Sequence, residues 1–184
     1  MNILEIIKKI LRAATAALNL LKDILKSLDP QRLHEPDEPK EPEELQEDPR
    51  LQLLSEAIFW LGKDASPKDE VSDEFACVES MGNIISEADL PFPKVYHTAI
   101  AVEFFKKSPN WKGTLDLLPG NVIINATGSG NGSMRGHCGI LLENGRIASN
   151  DSKTGLWDDN YSIVAWRDYF RYKGGMPTLV FQPI

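Results

Sequence analysis

Residues 135–151 read RGHCGILLENGRIASND, two short apolar runs separated by Asn144-Gly145. An Asn-Gly pair in this setting is the strongest local signal for a β-hairpin, because both central turn positions need a positive φ that these residues tolerate. The stretch therefore predicts two antiparallel strands joined by a two-residue turn. His137 begins the first strand, and three polar residues end the second: Ser149, Asn150 and Asp151.

The predicted hairpin brings a base close to several polar side chains. Antiparallel partners across a tight turn lie within side-chain reach, so we expect the imidazole of His137 beside residues 149–151. A catalytic site of this kind also needs a nucleophile. Cys77 is the upstream residue that fits best.

Cys77 is predicted to lie in the first turn of a helix, because Asp73 can cap a helix whose apolar positions continue through Ile85. The unpaired N–H groups and the positive end of the dipole favour a thiolate there, and a lowered thiol pKa makes cysteine nucleophilic at neutral pH. The alternative is a buried structural cysteine, since free cysteines are among the most buried residues.

The composition is that of an acidic globular protein. Its 184 residues are 42% hydrophobic and carry a net charge of −7, which predicts one domain plus extensions and gives no electrostatic argument for nucleic-acid binding. Cys77 and Cys138 have no CxxC spacing, which argues against a disulfide scaffold and a zinc cluster. We predict no metal and no cofactor.

Residues 1–28 have the pattern of an amphipathic helix, in which apolar residues repeat at heptad spacing along two neighbouring seams. No run of 18 uncharged residues occurs, so no membrane-spanning helix is predicted. Lys8 and Lys9 interrupt the apolar region and a small-residue cleavage site is missing, which argues against a signal peptide. The first seam is Ile3, Ile7, Ile10, Ala14, Ala17, Leu21, Ile24 and Leu28; the second is Leu4, Leu11, Leu18 and Leu25.

Residues 29–50 have the composition of a disordered linker. The segment carries five prolines, nine acidic residues and three basic residues, and it buries too little apolar surface to offset the entropy of ordering. A helix on such a tether must bury its apolar stripe elsewhere, so we expect residues 1–28 to form a homo-oligomer. A membrane surface is the second choice, because the helix carries a net charge of +3; a partner protein and the chain's own domain are further alternatives.

Residues 51–184 predict helices followed by antiparallel strands, which is the α+β class. Glycines in residues 128–136 predict a mobile loop beside the site. Trp157 falls in a predicted loop, where it either binds substrate or packs on the sheet. Helices are expected at 51–62, from Asp73 through Ile85, at 98–107 and around 162–170, and strands within 117–125, at 137–150 and at 178–181.

The order of these features resembles the papain-like cell-wall peptidases of the NlpC and CHAP types. The resemblance rests on Trp60-Leu61-Gly62 at a helix end, Cys77 at the next helix start, the run LPGNVII at 118–124, and Gly136-His137 followed by Gly139-Ile140. It covers residues 53–151. It implies a papain-like domain with N-terminal helices packed on an antiparallel sheet, with Cys77 as the nucleophile and His137 as the base.

The resemblance also implies that a polar residue on the second hairpin strand orients the imidazole. The NlpC type tends to have a His there, and it usually has Asp-Cys-Ser-Gly where this chain has Ala76-Cys77-Val78-Glu79. Asn accepts a hydrogen bond from the base in other Cys–His sites. We expect Asn150 in this role and Asp151 second, although a bulge or a change of register would favour Ser149.

Cys138 is expected to face away from Cys77. Neighbouring residues of a strand point to opposite faces of the sheet, so an imidazole directed at Cys77 sends Cys138 into the packing on the other side. We therefore predict a free and inert thiol at this position.

The resemblance implies a cysteine endopeptidase or amidase that cleaves an amide bond in the peptide part of peptidoglycan. A cell-wall-type domain without a signal peptide favours a phage lysin, a virion-associated protein or an effector released by another route, acting at the bacterial cell wall. Two other functions stay open. They are a non-catalytic assembly or binding protein with an incidental Cys–His pair, and an acyltransferase on the same scaffold.

Overall fold

The structure, a computed structural model, describes residues 15, 18, 22, 48–66, 72, 76–131 and 134–184. The chain divides into two compact units, Met1–Leu45 and Gln46–Ile184. In the first unit, Thr15, Leu18 and Lys22 are helical and exposed. The rest of the predicted helix 1–28 and the linker up to residue 47 lie outside the described residues. No helix within the described ranges is long and apolar enough to cross a membrane.

The second unit is built on a six-stranded sheet in which all neighbouring strands are antiparallel. The strands are β1 (Trp111–Thr114), β2 (Val122–Asn125), β3 (His137–Leu141), β4 (Arg146–Asn150), β5 (Trp157–Ser162) and β6 (Leu179–Pro183). Their order across the sheet is β1-β6-β2-β3-β4-β5. The last strand of the chain therefore lies between the first two, and only the β2-β3-β4-β5 part follows chain order.

Four helices accompany the sheet within the described residues. They are α1 (Pro49–Phe59), α2 (Cys77–Glu87), α3 (Thr98–Lys107) and α4 (Ile163–Trp166), which continues into a π-helical segment, Arg167–Lys173. Helices and an antiparallel sheet together confirm the predicted α+β class.

The sheet has two apolar faces because side chains alternate along each strand. The face that includes Ile124 packs against α1, α2 and α3. The face that includes Ile123 packs against Trp166 and Phe170 from α4 and the π-helical segment. All four residues of β2 are buried, since this strand is covered on both sides.

The hairpin forms where it was predicted, but its loop is one residue longer. Asn144 and Gly145 have φ values of 57° and 69°, as the Asn-Gly signal requires. The loop is the three-residue turn Glu143–Gly145, closed by a hydrogen bond from the Leu142 N–H to the Arg146 carbonyl oxygen at 2.8 Å. A three-residue loop with a residue in the left-handed region is a common alternative to the two-residue turn.

The helix boundaries differ from the prediction by a few residues. α1 begins at Pro49, because proline is favoured at the first helical position and the Asp48 carboxylate accepts the Arg50 N–H at 2.9 Å. Pro49 and Arg50 therefore belong to α1 rather than to the predicted linker 29–50. The N-cap of α2 is Ala76, without a side-chain cap; Asp73, the predicted cap, lies outside the described residues.

Candidate active site

Cys77 is the first residue of α2 and is only 9% exposed. The hydrogen bond from the Ser80 N–H to the Ala76 carbonyl oxygen, at 2.8 Å, is the first of the helical series. The N–H groups of the first turn, which precede Ser80, therefore have no acceptor within the helix and are free to face the space at the helix start. The prediction that Cys77 lies in the first turn is confirmed.

His137 begins β3 and lies among three aromatic rings. Its imidazole stacks on Trp166 with ring centroids 5.5 Å apart and on Phe170 at 5.9 Å. Tyr161 meets the same imidazole edge-on at 5.9 Å. These contacts restrict the orientation of the imidazole.

Asn125 is hydrogen-bonded to this aromatic cluster through Trp166. It lies directly opposite His137 in the register of β2 and β3 and is fully buried. Its Oδ1 accepts a hydrogen bond from the Trp166 indole Nε1 at 2.6 Å, and its Nδ2 lies 3.0 Å from the Pro177 carbonyl oxygen. Sequence reasoning missed Asn125. The available signal was an amide residue at the end of an otherwise apolar strand, VIIN.

Glycines flank His137 and Cys138 because other backbone segments approach closely at both positions. A Cβ atom on Gly136 would overlap the Asn125 carbonyl oxygen, and one on Gly139 would overlap the Ala148 carbonyl oxygen. The Gly-His-x-Gly pattern therefore has a packing reason here. It lets β2 and β4 lie close to the residues that form the site.

Cys77 and His137 line a common cavity of about 490 Å³, together with Asn150 and Asp151. Three of the predicted site residues, Cys77, His137 and Asn150, are thus brought together at one end of the sheet. Within the described residues, no group of three His, Cys, Asp or Glu side chains could hold a metal ion.

The pKa of the Cys77 thiol lies well below its ordinary value. The hydrogen bond from the Cys138 thiol is the largest cause, a hydrogen bond and the charge of His137 lower the pKa further, and burial acts in the opposite direction. Burial raises the pKa of Cys138 well above its ordinary value, and the neighbouring Cys77 adds to this effect. The environments therefore favour a thiolate at Cys77 and a neutral thiol at Cys138.

The prediction that Cys138 faces away from Cys77 is wrong. Its Sγ lies 3.2 Å from the Cys77 carbonyl oxygen, and its side chain is fully buried in the cluster that contains α2. His137 and Cys138 do point to opposite faces, as alternation requires, but Cys138 is the one on the α2 side. His137 reaches Cys77 because it stands at the very end of β3. Both cysteines are free, as predicted.

Each of the three residues considered for orienting His137 has a hydrogen-bond partner other than His137. The Asn150 Oδ1 accepts a hydrogen bond from the Ser80 hydroxyl at 3.3 Å. Ser149 is fully buried, and its hydroxyl accepts from Asn160 Nδ2 at 3.2 Å. The Asp151 carboxylate accepts from the Lys153 N–H at 2.8 Å. The choice of Asn150 therefore stays a prediction.

Trp157, predicted to lie in a loop, is the first residue of β5 and is fully buried. Its indole Nε1 donates a hydrogen bond to the Ala57 carbonyl oxygen at 3.1 Å, which ties β5 to α1. Trp157 does not line the cavity. The packing alternative is therefore correct. The substrate-binding assignment is wrong because the ring is fully buried and cannot reach a substrate in the cavity.

The rim of the cavity carries charges of both signs and two phenols. Arg135, Lys153 and Asp151 lie there with Tyr161 and Tyr169. Burial raises the pKa of Tyr161, and the charges of Tyr169, Asp151 and Cys77 raise it further. Tyr161 is therefore a neutral hydrogen-bond donor beside the site.

No protein-family model matches the chain, and no curated protein matches it. Fold and site together define an α+β protein in which Cys77 and the half-buried His137 line a common cavity.

Proposed function

We propose that the protein is a papain-like cysteine hydrolase, similar to the NlpC and CHAP types, that cleaves an amide bond in the peptide part of peptidoglycan. The single observation that carries the proposal is the pair formed by Cys77 and His137 in one cavity. Helices packed on an antiparallel sheet, with the cysteine at a helix start, support the papain-like assignment. The proposed site of action is the bacterial cell wall, reached through phage delivery or another route of release.

In the first half of the proposed reaction, the Cys77 thiolate attacks the carbonyl carbon of the amide. The negative charge on the former carbonyl oxygen is stabilised by the backbone N–H of Cys77 at the helix start. The imidazolium of His137 donates its proton to the leaving amine as the C–N bond breaks. The acyl group is then held on Cys77 as a thioester.

In the second half, His137 takes a proton from water, and the resulting hydroxide attacks the thioester carbonyl. The C–S bond breaks, and the product leaves as a carboxylate while Cys77 returns to the thiolate. Asn150 is the proposed acceptor that holds the imidazole in the orientation needed for both proton transfers. The aromatic rings around His137 support the same orientation.

The proposal is tested by mass spectrometry of purified peptidoglycan after digestion with the full-length protein. Wild-type protein should release fragments with one new amine and one new carboxylate, 18 Da heavier in sum than the uncut peptide. His137→Ala should release almost none. The matched control is His97→Ala, because His97 is exposed and caps α3 through its Nδ1; its loss should cost about 1 kcal/mol of stability and no activity.

Peptidoglycans with different stem peptides should be tested in parallel. Folded wild-type protein that releases nothing from any of them would contradict the proposed substrate. Equal release by wild type and His137→Ala would contradict the proposed base.

A further inference from the structure

Cys138 makes a specific contact with the nucleophile that the proposed reaction does not use. Its thiol lies 3.2 Å from the carbonyl oxygen of Cys77, and its side chain has no exposed surface. Its cross-strand partner in β2 is Ile124, and Ile140 follows it on the same face. Among these apolar neighbours, Cys138 places a hydrogen-bond donor against the residue that the proposed reaction uses as nucleophile.

The thiol of Cys138 has one proton and therefore one hydrogen bond to donate at a time. Two acceptors of the same residue lie next to it, the carbonyl oxygen and the sulfur of Cys77. Burial disfavours ionisation of Cys138, so the proton stays available for donation. Water cannot compete at a fully buried position, which strengthens even a weak donor.

We propose that Cys138 is a positioning residue for the nucleophile, its buried thiol donating to Cys77 and holding the start of α2 against β3. The inference rests on the proposed function, because it assigns Cys138 a role toward Cys77 as the attacking group. Cys138 itself does not touch the substrate. It acts through the location and the protonation state of its neighbour.

Removal of the Cys138 donor should raise the pKa of Cys77. The reason is that Cys138 can donate its proton to the sulfur of Cys77, and a hydrogen bond to a thiolate favours the charged form. The other titratable and charged groups around the cavity stay in place when only Cys138 is changed. They are His137, Tyr161, Tyr169, Asp151, Arg135 and Lys153.

The test compares the rate of Cys77 alkylation by iodoacetamide across pH in full-length proteins, with the modified residue identified by peptide mass mapping. Cys138→Val removes the donor at similar volume, and Cys138→Ser keeps a donor. We expect the midpoint of the Cys138→Val profile to rise by about one pH unit, with Cys138→Ser close to wild type. Ile140→Val, a fully buried change on the same face of β3, is the matched control and should not move the midpoint.

The measured midpoints distinguish failure of the Cys138 role from failure of the proposed function. A low wild-type midpoint that is unchanged in Cys138→Val would overturn the role of Cys138 and leave the Cys77–His137 pair intact. A wild-type midpoint at the value of an ordinary cysteine would contradict the activated nucleophile of the proposed function as well. If Cys138→Val fails to fold, the smaller Cys138→Ala gives the same comparison, and circular dichroism confirms its fold.

Discussion

At the scale of single residues, Cys77 and Cys138 show how position decides the chemistry of a thiol. Both belong to the apolar cluster under α2, but Cys77 is hydrogen-bonded by the Cys138 thiol and lies beside the His137 imidazole, whereas burial dominates at Cys138. Hydrogen bonds to the thiolate and a nearby positive charge lower a thiol pKa, and an apolar environment raises it. The same residue type therefore supplies the proposed nucleophile and its neutral neighbour.

The proposed role of Asn150 is to orient the base, His137, and not to act on the nucleophile. Asn150→Ala should lower the rate of peptidoglycan hydrolysis by about 10- to 1,000-fold, the range expected for loss of a supporting group. It should destabilise the protein only modestly, because the Ser80 hydroxyl loses one acceptor but keeps Ser66 Oγ at 3.2 Å. Initial rates are best compared at a temperature where circular dichroism shows both proteins to be folded.

Asp151→Ala is the matched comparison for Asn150→Ala, since both side chains line the cavity. We expect a smaller effect, because the Asp151 carboxylate caps the Lys153 N–H in the following turn. A silent Asn150→Ala together with a severely impaired Asp151→Ala would move the orienting role to Asp151.

At the scale of the elements, the site lies where α2 and β3 begin, and these two starts were predictable to different degrees. Positive φ at Asn144 and Gly145 fixes the hairpin locally, so its place could be read from the sequence. The start of α2 has no side-chain cap, so no local signal marks it. β5 reads WDDNYS without apolar alternation, which explains why the sequence predicts a loop at Trp157.

The supports of His137 come from elements distant in the chain and could not be predicted from local patterns. Asn125 belongs to β2 and Trp166 to α4, and their contact depends on how the second face of the sheet is covered. The π-helical segment that carries Phe170 places that ring beside Trp166 at 4.7 Å. Inserted π-helical residues are frequent near functional sites.

Asn125→Ala should affect both stability and activity. The substitution removes the acceptor of the Trp166 indole N–H and the donor to the Pro177 carbonyl oxygen just before β6. Because both partners are then left unpaired in the interior, the free energy of unfolding should fall by roughly 2–4 kcal/mol. Activity of the folded variant should also fall, because Trp166 then holds His137 less firmly. Urea unfolding followed by initial-rate measurements separates the two effects.

The exposed Asn110 provides a control for this substitution. Asn110→Ala should leave both quantities within error of wild type. Full activity of folded Asn125→Ala would contradict the role of the aromatic cluster in holding the imidazole.

At the scale of the whole molecule, the α+β class was predictable because helical and strand periodicities occur in separate parts of the chain. The strand order was not, since β6 pairs with both β1 and β2. Such pairing joins residues 55 to 72 positions apart, and no local pattern encodes it. That Cys138 faces α2 could not be predicted either, because it depends on which face of the sheet α2 covers.

The predicted helix at residues 1–28 leads to an expectation about assembly. Full-length protein should be a homo-oligomer, because two apolar seams favour association with copies of the same helix. Removal of residues 1–28 should leave a folded monomer. Light scattering measures both, and a monomeric full-length protein in the absence of lipid would reject this expectation. Liposome binding that disappears on the same truncation would favour the membrane surface instead.

The most direct test of the proposed cysteine hydrolase is the activity of Cys77→Ala on a peptidoglycan that the wild-type protein is shown to cut. Release of new peptide termini should fall by more than about 1,000-fold, because the nucleophile and its base act as one unit. Circular dichroism and the unfolding midpoint should change little, since the substitution removes one sulfur atom. Undiminished release of the same fragments by Cys77→Ala would contradict the account.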